Sequence, residues 1–242
     1  MNLILDLGNT NIKFAVFEND KIIHRNIRNK VDINDLKELI NQYPLIQRAI
    51  ISSVINYSSE ILDYLKNILD LCIELDKNTP LPIENLYRTR ETLGYDRIAG
   101  VVGAAHKFPG TDVLVIDSGT AITYDLINSA GQYSGGSISP GANTRARALN
   151  KFTAKLPLVE LRDTWSFPGK TTEEAIIFGV LSGIVYEIDG YINELKHNYP
   201  DLKTVLTGGD IKLFDKKVKN IIFVDSNLNL YGLNRILEYN AR

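Results

Sequence analysis

One design occurs twice in this chain of 242 residues, and it limits the possible folds more than any other feature. The first copy runs from Leu3-Ile4-Leu5 through Asp6-Leu7-Gly8-Asn9-Thr10-Asn11-Ile12-Lys13 into Phe14-Ala15-Val16-Phe17. It reads as an apolar strand, a carboxylate, a glycine turn and a second apolar strand. The second copy is Val113-Leu114-Val115-Ile116-Asp117-Ser118-Gly119-Thr120-Ala121-Ile122-Thr123-Tyr124. Gly8 permits a tight turn and lets backbone approach a bulky anion. Asn9 and Thr10 tolerate turn geometry and offer donors, and Lys13 adds a positive charge. Such a turn suits the terminal phosphates of a nucleotide with a divalent ion. Two ordinary hairpins could also spend an Asp and a Gly on their turns alone. The repetition, with each carboxylate following a strand apolar enough to be buried, favours a duplicated fold with a cleft between its halves.

The rest of the first half is mixed α/β. Residues 2–27 read as a three-strand meander, and Asp32 or Asn34 caps an amphipathic helix carrying Leu36, Leu39 and Ile40. Strand 48–54, a helix striped by Ile61, Leu62, Leu65, Ile68 and Leu69, and strand 71–75 come next. Three antiparallel strands and then alternating helices and strands suit a ribonuclease-H-like domain. Pro80, Pro82 and Gly94 punctuate a loop over 76–95. A helix with Ile98, Val101, Val102 and Ala105 on one stripe then runs to Pro109-Gly110, with Gly100, Gly103 and Ala104 permitting close packing. The design restarts at Asp112, which puts the division at 1–111 and 112–242. In the second half, 151–171 is an irregular excursion, and Thr172 can cap a long helix to about His197, favoured by Glu173 and Glu174. Gly179 and Gly183 on that helix suggest tight packing. Thr204–Asp210 is a strand entering a glycine turn, Ile221–Val224 another strand, and helix 228–239 closes the second half.

Composition narrows the class. A net charge of −2 argues against nucleic acid as the main partner. The lone Cys72 has no partner for an internal disulfide, and the cytoplasm is the expected compartment. No targeting segment is visible, since the first apolar run is cut by Asp6. The longest apolar run, Ala175 to Tyr186, is shorter than the roughly 20 residues of a membrane span, so no membrane association is expected. His24, His106 and His197 lack metal-ligand spacing.

Four clusters fall where strands should enter turns or helices should begin: Asp6–Lys13, Gly94–Arg97, Asp117–Thr120 and Gly208-Gly209-Asp210. Their order resembles the acetate and sugar kinase, Hsp70 and actin superfamily, in which two such domains clamp ATP. Five motifs narrow the likeness. Asp-x-Gly-Asn-Thr-x-x-Lys lies at Asp6–Lys13, Gly-x-Asp-Arg at Gly94–Arg97, and Asp-x-Gly-Thr-Ala-x-Thr-x-Asp at Asp117–Asp125. Gly-Gly-x-Ile-x-Pro-Gly lies at Gly135–Gly141 and Thr-x-x-Ala at Thr172–Ala175. In order and spacing, over nearly the whole chain, the set resembles type III pantothenate kinase.

That resemblance implies duplicated ribonuclease-H-like (actin-like ATPase) domains of the α/β class and ATP-dependent phosphorylation of pantothenate, the first step of coenzyme A synthesis. It implies that Asp6, Leu7, Gly8, Asn9, Thr10, Asn11, Ile12 and Lys13 hold ATP phosphates, Asp6 beside Mg²⁺, with Thr120 meeting them from the second turn. Asp117 would bind K⁺ or NH₄⁺. Asp96 would be the general base, and Tyr87, Gly94, Tyr95, Asp96, Arg97 and Thr172 would line the pantothenate pocket. Gly208-Gly209 would lie near adenosine, and the chain would pair as a homodimer to which the helix from Thr172 contributes. Local sequence alone reads Asp96 as a helix N-cap and Tyr87 as a packing residue. The family usually has Pro three residues after that tyrosine; here the place is Arg90. Two other functions are compatible with the same fold: a kinase or phosphohydrolase for another small substrate, and a non-catalytic nucleotide-binding regulator.

Overall fold

The apolar runs that open the two repeated designs become the central strands of two sheets. The computed structural model describes residues 1–8 and 11–241, which form two compact units: 1–107 with 227–241, and 108–226.

In the first unit the strands are β1 (Asn2–Leu7), β2 (Ile12–Glu18), β3 (Lys21–Arg28), β4 (Arg48–Ser53) and β5 (Leu71–Glu74), ordered β3-β2-β1-β4-β5. β1 pairs antiparallel with β2 and parallel with β4, placing Asp6 opposite Lys13 on one side and Ser52 on the other. Leu3, Ile4 and Leu5 are all fully buried because side chains on both faces of this strand are covered. Leu3, Leu5 and Leu7 share a core with Ile12, Phe14 and Val16, closed by Leu36 and Leu39 of α1 (Ile33–Gln42) and Ile61 and Leu65 of α2 (Ser59–Ile68). Asp32 is the α1 cap, its Oδ1 accepting from Asn34 N at 2.8 Å. A two-residue strand, β6 (Glu84–Asn85), and α3 (Tyr95–Lys107) continue the unit.

The second unit repeats the plan. Its strands β7 (Val113–Ser118), β8 (Ala121–Ile127), β9 (Gln132–Pro140), β10 (Lys203–Gly208) and β11 (Phe223–Val224) lie in the order β11-β10-β7-β8-β9. β7 and β8 are antiparallel, β8 and β9 antiparallel, and β10 lies parallel to both β7 and β11. Strand for strand this is the first unit's order and direction, so the duplication seen in the sequence is a duplication of topology. The helices here are α4 (Ala142–Phe152), α5 (Thr172–Lys196) and the single turn α6 (Ile211–Phe214). α5 is long and apolar enough to cross a membrane by length and composition, a wider apolar window than its uninterrupted run suggested. Yet 56% of that window is buried, with Ile177, Leu181, Ile184 and Ile188 packed in the core with Leu114, Ile116 and Leu206. Its apolarity is that of a core helix.

Three local expectations differ from the structure. The cap of α5 is Thr171, whose hydroxyl accepts from Glu174 N, and Thr172 is the first helical residue. Gly179 and Gly183 do not seat a neighbouring backbone. A Cβ on Gly179 would meet nothing within 4 Å, and one on Gly183 only the end of Arg145 at 3.9 Å. The closing helix α7 (Leu228–Asn240) groups with the first unit, where it packs on α3, β1 and β4, although its chain position is after the second half. The α3–α7 crossing needs two glycines. A Cβ on Gly103 would run into Leu228 O, and one on Gly232 into Ala99 O.

Candidate active site

In the first unit the β1–β2 turn places a carboxylate and an ammonium side by side. Asp6 and Lys13, opposite each other in register, approach to 4.0 Å, with side chains only 13% and 19% exposed. Gly8 N donates to Asn11 O at 3.1 Å, closing the turn. Leu7 and Ile12 point into the core, so their contribution to a phosphate is confined to backbone. Asn9 and Thr10 lie outside the described residues.

Gly94, Tyr95, Asp96 and Arg97 form the entrance to α3. Asp96 is the second residue of the helix, not the residue before it, and its Oδ1 accepts from the first-turn amide of Arg97 at 2.8 Å. A Cβ on Gly94 would strike that same oxygen, so glycine here leaves the carboxylate its room. Arg97 is buried to 6% exposure, and its guanidinium carbon sits 5.3 Å from the centre of the Tyr87 ring, a cation–π contact. Arg90, which stands in the usual proline's place, donates to Asn85 O at 2.6 Å, while Asn85 Oδ1 accepts from Tyr87 N at 3.0 Å. The departure from the family pattern thus supplies a different brace for the same segment. The structure therefore brings Tyr87, Gly94, Asp96 and Arg97 together.

In the second unit, Asp117 is the penultimate residue of β7, opposite Thr123 of β8 and Thr207 of β10. Gly208 has φ +102°, and a Cβ there would crowd Ser118 O and the Asp117 carboxylate. The next turn brings Asp210 N to Ser118 O at 3.0 Å. Burial, and secondarily the Asp117 charge, push the Asp210 carboxyl above its ordinary range. Two carboxylates with backbone oxygens close by are a hard donor set that fits a cation bound by oxygen. No group of three or more His, Cys, Asp or Glu able to hold a metal exists among the described residues. Thr120 is exposed at the turn, its carbonyl accepting from Gly141 N at 3.0 Å and Thr144 Oγ1 at 2.7 Å. Thr172 lies on an apolar groove of about 730 Å³ also lined by Pro140, Thr144, Arg145, Ala148, Phe152 and Ala175.

Sequence reasoning passed over Arg145, Glu187 and Tyr124. Arg145 pairs with Glu187, and burial and then Glu187 push the phenol of Tyr124 well up from its ordinary value. Arg145 and Glu187 stand 42 residues apart, a separation that carries no local signal.

Two units with one topology, each entered through a strand–Asp–x–Gly–turn–strand, define the actin-like ATPase and sugar-kinase class of phosphotransferase folds. Solved structures agree on that fold. A candidate Baf family transcriptional activator from Campylobacter jejuni aligns with a TM-score of 0.63 at 24% identity, over 99% of this chain and 98% of that one. A candidate N-acetylmannosamine kinase from Listeria monocytogenes aligns at 0.57 and 12% identity, over 100% and 99%. Sequence relatives go further. The family model for type III pantothenate kinase matches residues 2–194. A type III pantothenate kinase from Bacteroides fragilis is 48% identical over 240 residues, 99% of this chain and 98% of that protein. One from Phocaeicola vulgatus is 48% identical over 242 residues, 100% of both. The chain belongs to the type III pantothenate kinase family.

Proposed function

We propose that this kinase works with Asp96 as general base. As a member of its family the chain transfers the γ-phosphoryl group of ATP to pantothenate, giving 4′-phosphopantothenate for coenzyme A synthesis. The Asp96 carboxylate takes the proton of the pantothenate hydroxyl as that oxygen attacks the γ-phosphorus. The bond between the γ-phosphorus and the β–γ bridging oxygen breaks, and ADP leaves with its electron pair. The observation that carries the role of Asp96 is its place in the first turn of α3 beside buried Arg97, with Gly94 leaving its carboxylate room.

Phosphoryl transfer depends on alignment and on neutralising spread charge. In the first unit the 6–13 turn offers amides and Lys13 to the phosphates. The family resemblance assigns Tyr87, Gly94, Tyr95, Arg97 and Thr172 to pantothenate binding. Thr120 contributes a hydroxyl to the phosphates, and Gly208-Gly209 leaves room for adenosine. Mg²⁺ held near Asp6 and K⁺ or NH₄⁺ held by Asp117 would supply positive charge beside the phosphates. The chain acts in the cytoplasm as a homodimer, a reading supported by the family and by the apolar groove of α4 and α5, where Phe152 is 79% exposed.

Mass-spectrometric detection of 4′-phosphopantothenate, in K⁺ and in Na⁺, tests the whole. Wild-type protein forms product and needs K⁺, while Asp96→Asn lowers kcat by about 10² to 10⁴. An Asp96→Asn variant with wild-type kcat would overturn the base; absence of product from wild-type protein in both salts would overturn the substrate. A monomeric mass by light scattering at micromolar protein would overturn the dimer.

A further inference from the structure

We infer that Arg145 is a positioning residue for the second phosphate turn, holding Thr120 in place through the junction of β9 and α4. The inference rests on the reading that the Thr120 hydroxyl meets ATP's phosphates.

The guanidinium of Arg145 gathers three acceptors from two other segments. Its Nε donates to Pro140 O at 2.7 Å, and its Nη2 donates to Ser139 Oγ at 2.8 Å and to the Glu187 carboxylate. Ser139 and Pro140 are the last residues of β9, and Glu187 is in the body of α5. The Arg145 and Glu187 side chains are 22% and 24% exposed, so their pairing is partly withdrawn from solvent. Glu187 in turn stands against Tyr124, which is 2% exposed and stacked on Tyr191 at 4.2 Å between ring centres. The end of β9 is therefore tied to a rigid wall.

Immediately after Pro140 the chain forms the cradle of the turn. Gly141 N and Thr144 Oγ1 both donate to Thr120 O, and a Cβ on Gly141 would run into Gly119 O. The junction and the turn touch backbone to backbone with no room for a methyl group. A small slide of Ser139–Gly141 is then passed straight to Thr120. Lysine in place of Arg145 keeps the charge but loses the planar fork that serves Pro140, Ser139 and Glu187 together.

The test is steady-state kinetics on the full chain with ATP and pantothenate varied separately, for Arg145→Lys, Glu187→Gln, Thr120→Ala and the double variant Arg145→Lys/Thr120→Ala. Melting temperature and molar mass are measured beside them. Arg145→Lys should raise the KM for ATP by about tenfold, with the KM for pantothenate within about twofold of wild type. The double variant should be no worse than Thr120→Ala alone, because both substitutions remove one effect. Multiplying effects, or a change confined to melting temperature, molar mass or pantothenate KM, would overturn the positioning role while leaving the Thr120 reading intact. Thr120→Ala with wild-type ATP kinetics would overturn both. Should Arg145→Lys not fold, Glu187→Gln, which leaves the bonds from Arg145 to β9 in place, carries the same comparison with a smaller shift in ATP KM, and no shift there overturns the role.

Discussion

The two repeated turns share a backbone design and differ in charge. In the first, the carboxylate that ends the opening strand faces a lysine across the hairpin: Asp6 and Lys13. In the second, Asp117 faces Thr123, and its charged neighbour is another acid, Asp210, whose carboxyl is pushed upward in part by Asp117 itself. One turn is electrically balanced and can present its amides and ammonium to phosphate. The other sets two carboxylates near each other, and the cation proposed for Asp117 would sit beside them. The same scaffold thus occurs twice with different residues opposite the aspartates, and the proposed roles of the two turns differ accordingly.

The largest effect that would test this contrast is at Lys13. Lys13→Ala should lower kcat/KM for ATP by about 10² to 10³, as loss of one preorganised charge beside a phosphate does. Steady-state kinetics measures it, and a variant within twofold of wild type would erase the distinction between the turns. The next is an exchange of character. Thr123→Lys plants an ammonium opposite Asp117 in the register that Lys13 holds opposite Asp6. A K⁺ titration of its activity should be flat, or shifted by about tenfold or more in half-saturation. Asp117→Asn should shift the same titration in the same direction, and an unchanged K⁺ curve in both variants would remove cation recruitment from the second turn.

The smallest expected effect concerns stability. Asp210 binds its proton more tightly in the folded chain than its ordinary value of about 3.9. As pH rises from there through the raised folded value, the unfolded chain ionises first, so the folded state loses stability over that window. Asp210→Asn removes the loss. Its melting temperature should exceed wild type at neutral pH by no more than the ~2–4 °C that 1 kcal/mol moves a chain of this size, and should match it below about pH 3. A wild-type advantage at pH 7 would mean that burial and the Asp117 charge do not disfavour the ionised Asp210 carboxyl in the folded chain.

Much of this was legible in sequence because it is local. Leu3–Leu5 and Val113–Ile116 are unbroken apolar runs, and such runs become central strands wherever both faces are covered. Of the two candidates for the α1 cap, Asp32 and Asn34, Asp32 is the cap and Asn34 supplies the amide it accepts from. At the start of α5 the sequence holds two adjacent threonines; only the reach of a hydroxyl to Glu174 N selects Thr171 over Thr172. Asp96 illustrates the reverse: a residue that local rules read as a cap is the second residue of the helix and spends an oxygen on Arg97 N. Gly103 and Gly232, Asp117 and Asp210, and Arg145 and Glu187 are joined only by tertiary structure, and no periodicity announces such pairs.

The place of α7 has a consequence for the growing chain. The second unit is one continuous stretch, 108–226, whereas the first needs residues from both sides of it. During synthesis the strands β1 to β5 emerge first, yet Ala99 and Gly103 of α3 wait uncovered until Gly232 and its helix arrive. The second unit can therefore close while the first still lacks its last helix, although its residues are made later.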